Sequence, residues 1–464
     1  MINKISQNTL VQLIGKIIST IIGLIVVALM TRALGAAGFG SYTTIVTFLQ
    51  FFGILVDLGL TMTLARELGK QTIPADKLLS NLLSLRTILS GFIFALAPLV
   101  AWLLPYPKEI VVGIALTSLA FFLSSLSQNF TAVFQYHLKS QRLILAELSG
   151  RLILLLGTLG CFLTKQPLNY YLLILILSNT ASAGAILWQA YKLSPFYWQI
   201  DKKIWHYLWQ VTWPVALTIA LNLIYFKTDT IILSLFRPLE EVGLYGAAYK
   251  VLEVLLAVPA IIGGLVLPLA ARYKQQAQPD NLQKLFSGTF DSLLAGGLAV
   301  IIGSLILGEK IMVALAGPNF AVAGQILVIL SLATALIFLG NALGYFIFAL
   351  DKQKKMFLLY GLAALGALTS YLIFIPQNGI WAAAWITVAV EAIMTLGSLI
   401  MLYRWGLKPT LYRWPKIILA SLLLAVGLSL PLVWWLNILI GGLIYLVALW
   451  KLKLIPKEEL FSNN

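Results

Sequence analysis

Charged residues are scarce in this chain, and so are the residue types that build many metal and enzyme sites. Only 11% of the 464 residues are Asp, Glu, Lys or Arg, well below the roughly one-quarter typical of soluble domains. The single cysteine, Cys161, excludes an intramolecular disulfide and a cysteine-based metal cluster. The two histidines, His137 and His206, lie far apart near predicted loops. We therefore expect no metal site.

Several functional motifs are also missing. The sequence has no G-x-x-x-x-G-K-[ST] loop, so it predicts no P-loop ATP hydrolysis and no bound nucleotide cofactor. No segment between apolar runs is long enough for a soluble catalytic domain, which argues against a glycosyltransferase, ligase or polymerase with a large external loop and leaves open an enzyme that acts inside the bilayer. The net charge of +15 is dispersed in short clusters and forms no continuous patch, which argues against nucleic acid as a partner.

Long apolar runs fill the sequence instead. Hydrophobic residues make up 60% of it, with a mean hydropathy of +0.93. A helix needs about 20 mostly apolar residues to cross a hydrocarbon core of roughly 30 Å. Such runs are predicted at residues 8–30, 41–64, 78–104, 110–135, 148–163, 169–191, 207–236, 243–271, 285–307, 322–350, 356–375, 380–402, 414–430 and 432–450. The predicted fold class is an all-α integral membrane protein with about 14 transmembrane helices.

The distribution of positive charge predicts the orientation of these helices. Loops on the N-terminal side hold 22 of the Lys and Arg residues, whereas the opposite loops hold five. Because cytoplasmic loops are enriched in Lys and Arg, both termini are predicted to be cytoplasmic. The run at 8–30 is long and contains Lys16, which is typical of an uncleaved first span rather than of a signal peptide. Around Pro431, the last two segments form either two spans or one re-entrant hairpin.

A short repeat suggests that the chain contains two related halves. The segment Arg32-Ala-Leu-Gly-Ala-Ala-Gly38 has a counterpart in Arg237-Pro-Leu-Glu-Glu-Val-Gly243, between spans one and two and between spans seven and eight. Equivalent positions in two six-span halves favour an internal duplication over an accidental match.

The same segments resemble a known family. Its motifs are Arg32-Ala-Leu-Gly-Ala-Ala-Gly38-Phe-Gly40-Ser-Tyr42, Asp57-Leu-Gly-Leu60, Ala65-Arg66-Glu67, Lys227-Thr-Asp229 and Glu240-Glu-Val-Gly243-Leu-Tyr245-Gly-Ala-Ala-Tyr249-Lys250. Together they resemble polysaccharide-biosynthesis flippases of the Wzx type, within the multidrug/oligosaccharidyl-lipid/polysaccharide exporter (MOP) superfamily. The resemblance covers roughly residues 10–66 and 222–253.

This resemblance implies two pseudo-symmetric six-helix lobes around a central cavity, plus two C-terminal helices. On this chain the N-terminal lobe is residues 1–200 with spans one to six, and the C-terminal lobe is 201–405 with spans seven to twelve. Residues 406–464 form the C-terminal helix pair and a cytoplasmic tail.

The implied substrate is an undecaprenyl-diphosphate-linked oligosaccharide. It is moved from the cytoplasmic to the outer leaflet of the bacterial cytoplasmic (inner) membrane by alternating access. Expected partners are this substrate, membrane lipids, a polysaccharide polymerase and glycosyltransferases.

Five basic residues fall inside predicted spans, at Lys16, Arg86, Arg151, Lys227 and Lys250. An unpaired charge at the bilayer centre costs about 2.5 to 3.5 kcal/mol, so such residues should pair, reach the membrane surface or line a hydrated cavity. Arg151 is near a span end and should reach the surface. An anionic diphosphate requires cations, so the predicted substrate contacts are Lys16, Arg86, Lys227 and Lys250.

Polar residues on four spans fall on one helical face, including Thr117, Ser124, Gln128, Thr131 and Gln135 of the fourth span. Such stripes serve either helix packing or a polar interior, and four together favour a polar interior.

Acidic residues inside the spans are candidates for ion coupling or for charge pairing. Asp57, Asp229 and Glu253 are assigned to these two roles, and Asp291 and Glu391 are further acids at membrane depth. Glu253 follows Lys250 at i, i+3 spacing, so the two form either a structural pair or a basic site with an adjacent acid. Lys227 and Asp229 are two residues apart and cannot pair with each other. Without a nucleotide site, transport is expected to use an ion gradient, such as that of H⁺ or Na⁺, or the gradient of the substrate itself.

Two rival functions remain. The first is export of cationic drugs coupled to H⁺ or Na⁺ on the same fold, as in multidrug and toxin extrusion transporters, since fold alone does not determine cargo. The second is a membrane-embedded glycan enzyme, which the absence of a loop-borne catalytic constellation disfavours.

Overall fold

The computed structural model describes residues 2–70 and 73–452, and in these ranges it contains fourteen α-helices and no β-strand. The helices are α1 (Ile2–Asp57), α2 (Leu60–Lys70), α3 (Ala75–Leu103), α4 (Lys108–Tyr136), α5 (Ser140–Leu163), α6 (Leu168–Leu193), α7 (Lys202–Phe236), α8 (Leu239–Leu255), α9 (Ala257–Gln275), α10 (Pro279–Ala316), α11 (Ala321–Ala349), α12 (Phe357–Arg404), α13 (Trp414–Leu428) and α14 (Trp434–Lys451). Eleven helical segments of the described chain are long and apolar enough to cross a membrane. The predicted all-α membrane fold is confirmed.

Glycine breaks divide the two longest helices. The 56 residues of α1 would extend about 84 Å as one straight helix, nearly three hydrocarbon thicknesses. Gly35 interrupts α1 with a φ of 66°, and Gly379 interrupts the 48-residue α12 with a φ of 57°. Glycine adopts positive φ at little cost because it has no Cβ. With two segments in each of these helices, twelve predicted spans each lie within one helical segment, apart from a residue or two at some ends, and the other two, 41–64 and 243–271, each run across two consecutive helices.

The first compact unit, Met1–Gly243, contains α1 to α7 and the start of α8. Its apolar core includes Phe48, Phe94 and Ile114, which are at most 3% exposed. The two copies of the repeat lie against each other in this unit. A Cβ added to Gly40 would lie 1.8 Å from the Leu239 carbonyl oxygen. The same addition to Gly243 would lie 2.0 Å from the Ala36 carbonyl oxygen, so both positions require glycine.

The second compact unit, Leu244–Asn464, contains the rest of α8 and α9 to α14. Its last two helices pack on each other, and α13 packs on α10. The Asn437 amide donates hydrogen bonds to the Leu428 and Leu430 carbonyls at 3.0 and 2.9 Å, which closes the connection around Pro431. α13 and α14 each belong to an 18-residue segment that is apolar enough to span a membrane.

The predicted domain limits, with lobes at 1–200 and 201–405 and a helix pair at 406–464, stay predictions. Within the first compact unit, α7 packs against α1, α2 and α3.

Candidate functional site

A break in the predicted second span places an acid within the membrane. α1 ends at Asp57 and α2 begins at Leu60, because Leu58 and Gly59 have positive φ values of 36° and 89°. The Gly59 N–H donates to Asp57 Oδ2 at 3.3 Å, and the Thr61 hydroxyl donates to Oδ1 at 2.6 Å. Discontinuous helices of this kind often carry the binding sites of transporters, since the break frees backbone polar groups at membrane depth.

Arg86, on α3, completes a buried polar cluster around this break. Its Nη1 donates to Asp57 Oδ1 at 2.8 Å and to Asn129 Oδ1 at 3.1 Å. Its Nε donates to Ser125 Oγ at 3.1 Å, and its Nη2 donates to Gln128 Oε1 at 3.2 Å. The Arg86 side chain is 1% exposed and that of Asp57 is 20% exposed. The guanidinium is thus paired, hydrogen-bonded and enclosed, as a buried charge must be.

The sequence identifies Arg86 and Asp57 separately, and the structure brings them together. The structure also adds Ser125 and Asn129 to the cluster around Arg86. The predicted polar stripe of the fourth span does not include them, because it runs through Ser124 and Gln128. Ser125 and Asn129 are one helical turn apart on α4, so their i, i+4 spacing is the sequence signal for this second polar face.

The remaining predicted bases of the first unit, Lys16 and Lys227, lie on α1 and α7. Lys16 is exposed on α1, next to Gly15, which packs closely against Ile144 of α5. Lys227 is half-buried on α7. Two residues further on, Asp229 is 2% exposed and accepts hydrogen bonds from the Thr230 N–H at 2.6 Å and hydroxyl at 3.2 Å.

Lys250 and Glu253 form an ion pair in the second unit. Lys250 Nζ lies 2.6 Å from Glu253 Oε2, one helical turn away on α8. The side chains of Lys250 and Glu253 are 35% and 31% exposed, so both remain partly accessible. The eighth predicted span is also interrupted, since α8 ends at Leu255 and α9 begins at Ala257. Each broken span therefore carries a paired acid at or near the break: Asp57 pairs with Arg86 of the third span, and Glu253 pairs with Lys250 of its own helix.

Glu67 is a functional candidate that residue-by-residue reasoning missed, although it belongs to the Ala65-Arg66-Glu67 motif. It lies on α2, three residues beyond the predicted second span, and is 1% exposed. Its Oε1 accepts a hydrogen bond from Lys70 Nζ and its Oε2 accepts one from the Tyr207 hydroxyl, both at 2.7 Å. Burial alone would raise the pKa of Glu67. The hydrogen bonds from Lys70 and Tyr207 outweigh burial and hold that pKa below its ordinary value. This contact ties α2 to α7.

The fold is that of multi-pass membrane transporters. The lipid II flippase MurJ in an inward closed conformation is similar with a TM-score of 0.79 at 15% identity, covering 94% of this chain and 97% of that one. An inward-facing multidrug resistance MATE family transporter of the MOP superfamily has a TM-score of 0.64 at 11% identity, over 85% and 98% of the chains. The MATE multidrug transporter DinF-BH gives 0.64 at 13% identity, over 87% and 95%. Each of these three proteins is described as a flippase or a transporter.

A sequence model of the polysaccharide biosynthesis protein family matches residues 5–274. The chain belongs to this family, which confirms the resemblance seen in its motifs. No curated protein sequence matches the chain at a significant level.

Proposed function

We propose that this protein is a flippase that translocates an undecaprenyl-diphosphate-linked oligosaccharide from the cytoplasmic to the outer leaflet of a bacterial inner membrane by alternating access. The observation that carries the proposal is the match to the polysaccharide biosynthesis family over residues 5–274, a range that includes all four basic candidates. The similarity of the fold to a protein described as a lipid II flippase supports it.

The basic residues suit a diphosphate cargo. A diphosphate has at least two negative charges, and moving it through the membrane without counter-charges would cost several kcal/mol per charge. Fixed cations lower that cost. Lys16 is exposed, and Lys250 keeps 35% of its side chain accessible, so these two are our first candidates for direct contact. Lys227 comes next. Because Arg86 is enclosed by its own partners, we assign it to shaping the site through Asp57.

Energy would come from an ion gradient or from the gradient of the substrate itself. The partners proposed for the pathway are glycosyltransferases that build the substrate and a polymerase that consumes it. Genes for both beside this one would support the assignment.

The test is translocation in proteoliposomes without nucleotide. Lipid-linked oligosaccharide should reach the opposite leaflet and become accessible to a membrane-impermeant glycosidase. Lys16→Ala and Lys250→Ala should each slow this step about tenfold, equivalent to about 1.4 kcal/mol in the barrier. Both should retain wild-type expression. Lys165→Ala, in an exposed loop, is the matched control.

Two outcomes would contradict the proposal. Undiminished translocation in both variants would reject Lys16 and Lys250 as substrate contacts. A requirement for added nucleotide would reject gradient-driven transport. Uptake of a lipophilic cationic dye without any movement of the oligosaccharide would instead favour the drug-exporter alternative.

A further inference from the structure

Glu391 is a buried acid at the middle of a membrane helix. It lies on the second segment of α12, 11 residues after Ile380 and 13 before Arg404, or about 17 and 20 Å along the axis. Its exposure is 6%. At this depth water cannot stabilise a carboxylate, so the protein must supply counter-charge or the group must stay neutral.

The other acids in the spans have partners. Asp57 is 2.8 Å from Arg86 and Glu253 is 2.6 Å from Lys250. Asp291 is 3.9 Å from the guanidinium of Arg413, although its two buried carboxylate oxygens accept no hydrogen bond from the described residues. Asp229 accepts hydrogen bonds from Thr230. Among the residues that the structure describes, Glu391 has no hydrogen-bond or ion-pair partner.

The surroundings of Glu391 offer no counter-ion. α12 packs against α11, whose 29 residues include no Asp, Glu, Lys, Arg or His. It also packs against the short 3-10 helix Gln353–Met356, where neither Lys354 nor Lys355 forms an ion pair with Glu391. The one titratable residue of α11, Tyr345, donates its hydroxyl to the Pro259 carbonyl. Within α12 the titratable group in electrostatic reach of Glu391 is Tyr360.

The neighbouring hydroxyls are also engaged. Thr387 donates to the Ala383 carbonyl at 2.8 Å, and Thr395 donates to the Leu336 carbonyl at 3.0 Å. A bound metal cation would need several free oxygen ligands. In the described residues no three His, Cys, Asp or Glu side chains gather into a group. A single isolated carboxyl suits a proton better than a metal ion.

We propose that Glu391 binds a proton within the membrane and is the group through which transport is coupled to a proton gradient. The carboxylate takes up one proton and becomes a neutral carboxylic acid in the buried arrangement seen here. It releases the same proton when the transport cycle exposes it to water. The coupling part of this inference rests on the proposed function, whereas the proton site does not.

The site is tested first without any substrate. Infrared spectra of the full-length protein in proteoliposomes should show a protonated-carboxyl C=O band at neutral pH that disappears on alkalinisation. Glu391→Gln should lose this band and unfold at the wild-type temperature, because Gln matches the neutral acid in size. Glu109→Gln, at an exposed acid on α4, is the matched control and should keep the band. An unchanged band in Glu391→Gln would overturn the proton site.

Coupling is tested second, by translocation under an imposed pH gradient. Wild type and Glu109→Gln should respond to the gradient, and Glu391→Gln should lose the whole of that response. An equal response in Glu391→Gln would overturn coupling even if the band assignment holds. Should Glu391→Gln fail to fold, Glu391→Met replaces it in both measurements. Failure of wild type to move the oligosaccharide would reject the proposed function and its coupling, whereas the infrared result decides the proton site independently.

Discussion

The energetic cost of a charged residue in this protein depends more on its hydrogen-bonding and charged partners than on its depth in the membrane. Arg86 and Asp57 are each costly in a membrane, but together they form a cluster in which every charged group has a hydrogen-bonded neighbour. Pairs of this kind are weak sources of net stability, because desolvation offsets much of their attraction. Removing one member is nevertheless expensive, since the other stays buried without compensation.

Arg86→Ala should therefore lower stability by about 3 kcal/mol, the lower end of the range for breaking a buried ion pair. Thermal unfolding in detergent measures the loss. Removing Asp57 as well, in Arg86→Ala/Asp57→Ala, should recover part of it, because no charge is then left unpaired. Arg142→Ala, at an exposed arginine of the same unit, should leave the midpoint unchanged. Equal midpoints for Arg86→Ala and Arg142→Ala would refute the structural importance of the pair.

Tyr207→Phe should lower stability by about 1.5 kcal/mol, because it removes a hydrogen bond to the charged Glu67 carboxylate. Since the folded-state pKa of Glu67 is depressed, its contribution is complete above the unfolded pKa of about 4.3. It is lost as pH falls through the lower folded value. Unfolding midpoints of wild type and Tyr207→Phe, measured from neutral to acidic pH, should converge in that window. Tyr170→Phe, at a half-exposed tyrosine, is the control, and a constant difference at all pH values would contradict the linkage.

At the scale of helices, close approach depends on glycine at a few defined positions. The contact between the start of the second segment of α1 and the start of α8 is backbone to backbone, with carbonyl oxygens where each Cβ would stand. A carbonyl in a helix cannot rotate away without breaking its own hydrogen bond. Neither helix can therefore make room by moving a side chain.

Gly40→Ala should thus destabilise the protein by about 1 to 3 kcal/mol, the usual cost of overpacking. Gly23→Ala is the matched control on the same helix, since an added Cβ there meets nothing within 4 Å. It should be neutral, or stabilise by up to about 1 kcal/mol through helix propensity. Unfolding midpoints of the two variants should move in opposite directions or differ clearly. A Gly40→Ala protein as stable as Gly23→Ala would show that the helices do not approach this closely.

Hydropathy predicts the positions of the helices well because each span must be apolar along its whole length. It does not reveal the breaks at Leu58–Gly59 and Leu256, because both lie inside apolar runs and the predicted spans 41–64 and 243–271 pass through them. Charge and depth identify Arg86 and Asp57 as unusual. Their pairing is not predictable, since they are far apart in sequence and belong to different helices. The sequence also does not predict that Glu391 lacks a charged partner, because this depends on which side chains the fold places around it.

For the whole molecule, the distribution of Lys and Arg among the loops predicts the orientation in the membrane. This prediction can be tested separately in each compact unit. Lys203 and Pro107 are exposed in the first unit, and Lys354 and Asn319 are exposed in the second. Within each unit, the lysine lies in a Lys- and Arg-rich segment between predicted spans, and its companion lies in a poorly charged segment of the opposite set.

Cysteines introduced one at a time at Lys203 and Lys354 should react with an impermeant maleimide only from the cytoplasmic side, because cytoplasmic loops retain Lys and Arg. Those at Pro107 and Asn319 should react only from outside. The Cys161→Ala background removes the native thiol, which is 7% exposed on α5, and the background protein itself should stay unlabelled. Wrong-side labelling at one pair alone would place an error in the spans of that unit. Reversal at all four positions would instead invert the whole chain, with every predicted span intact and both termini outside.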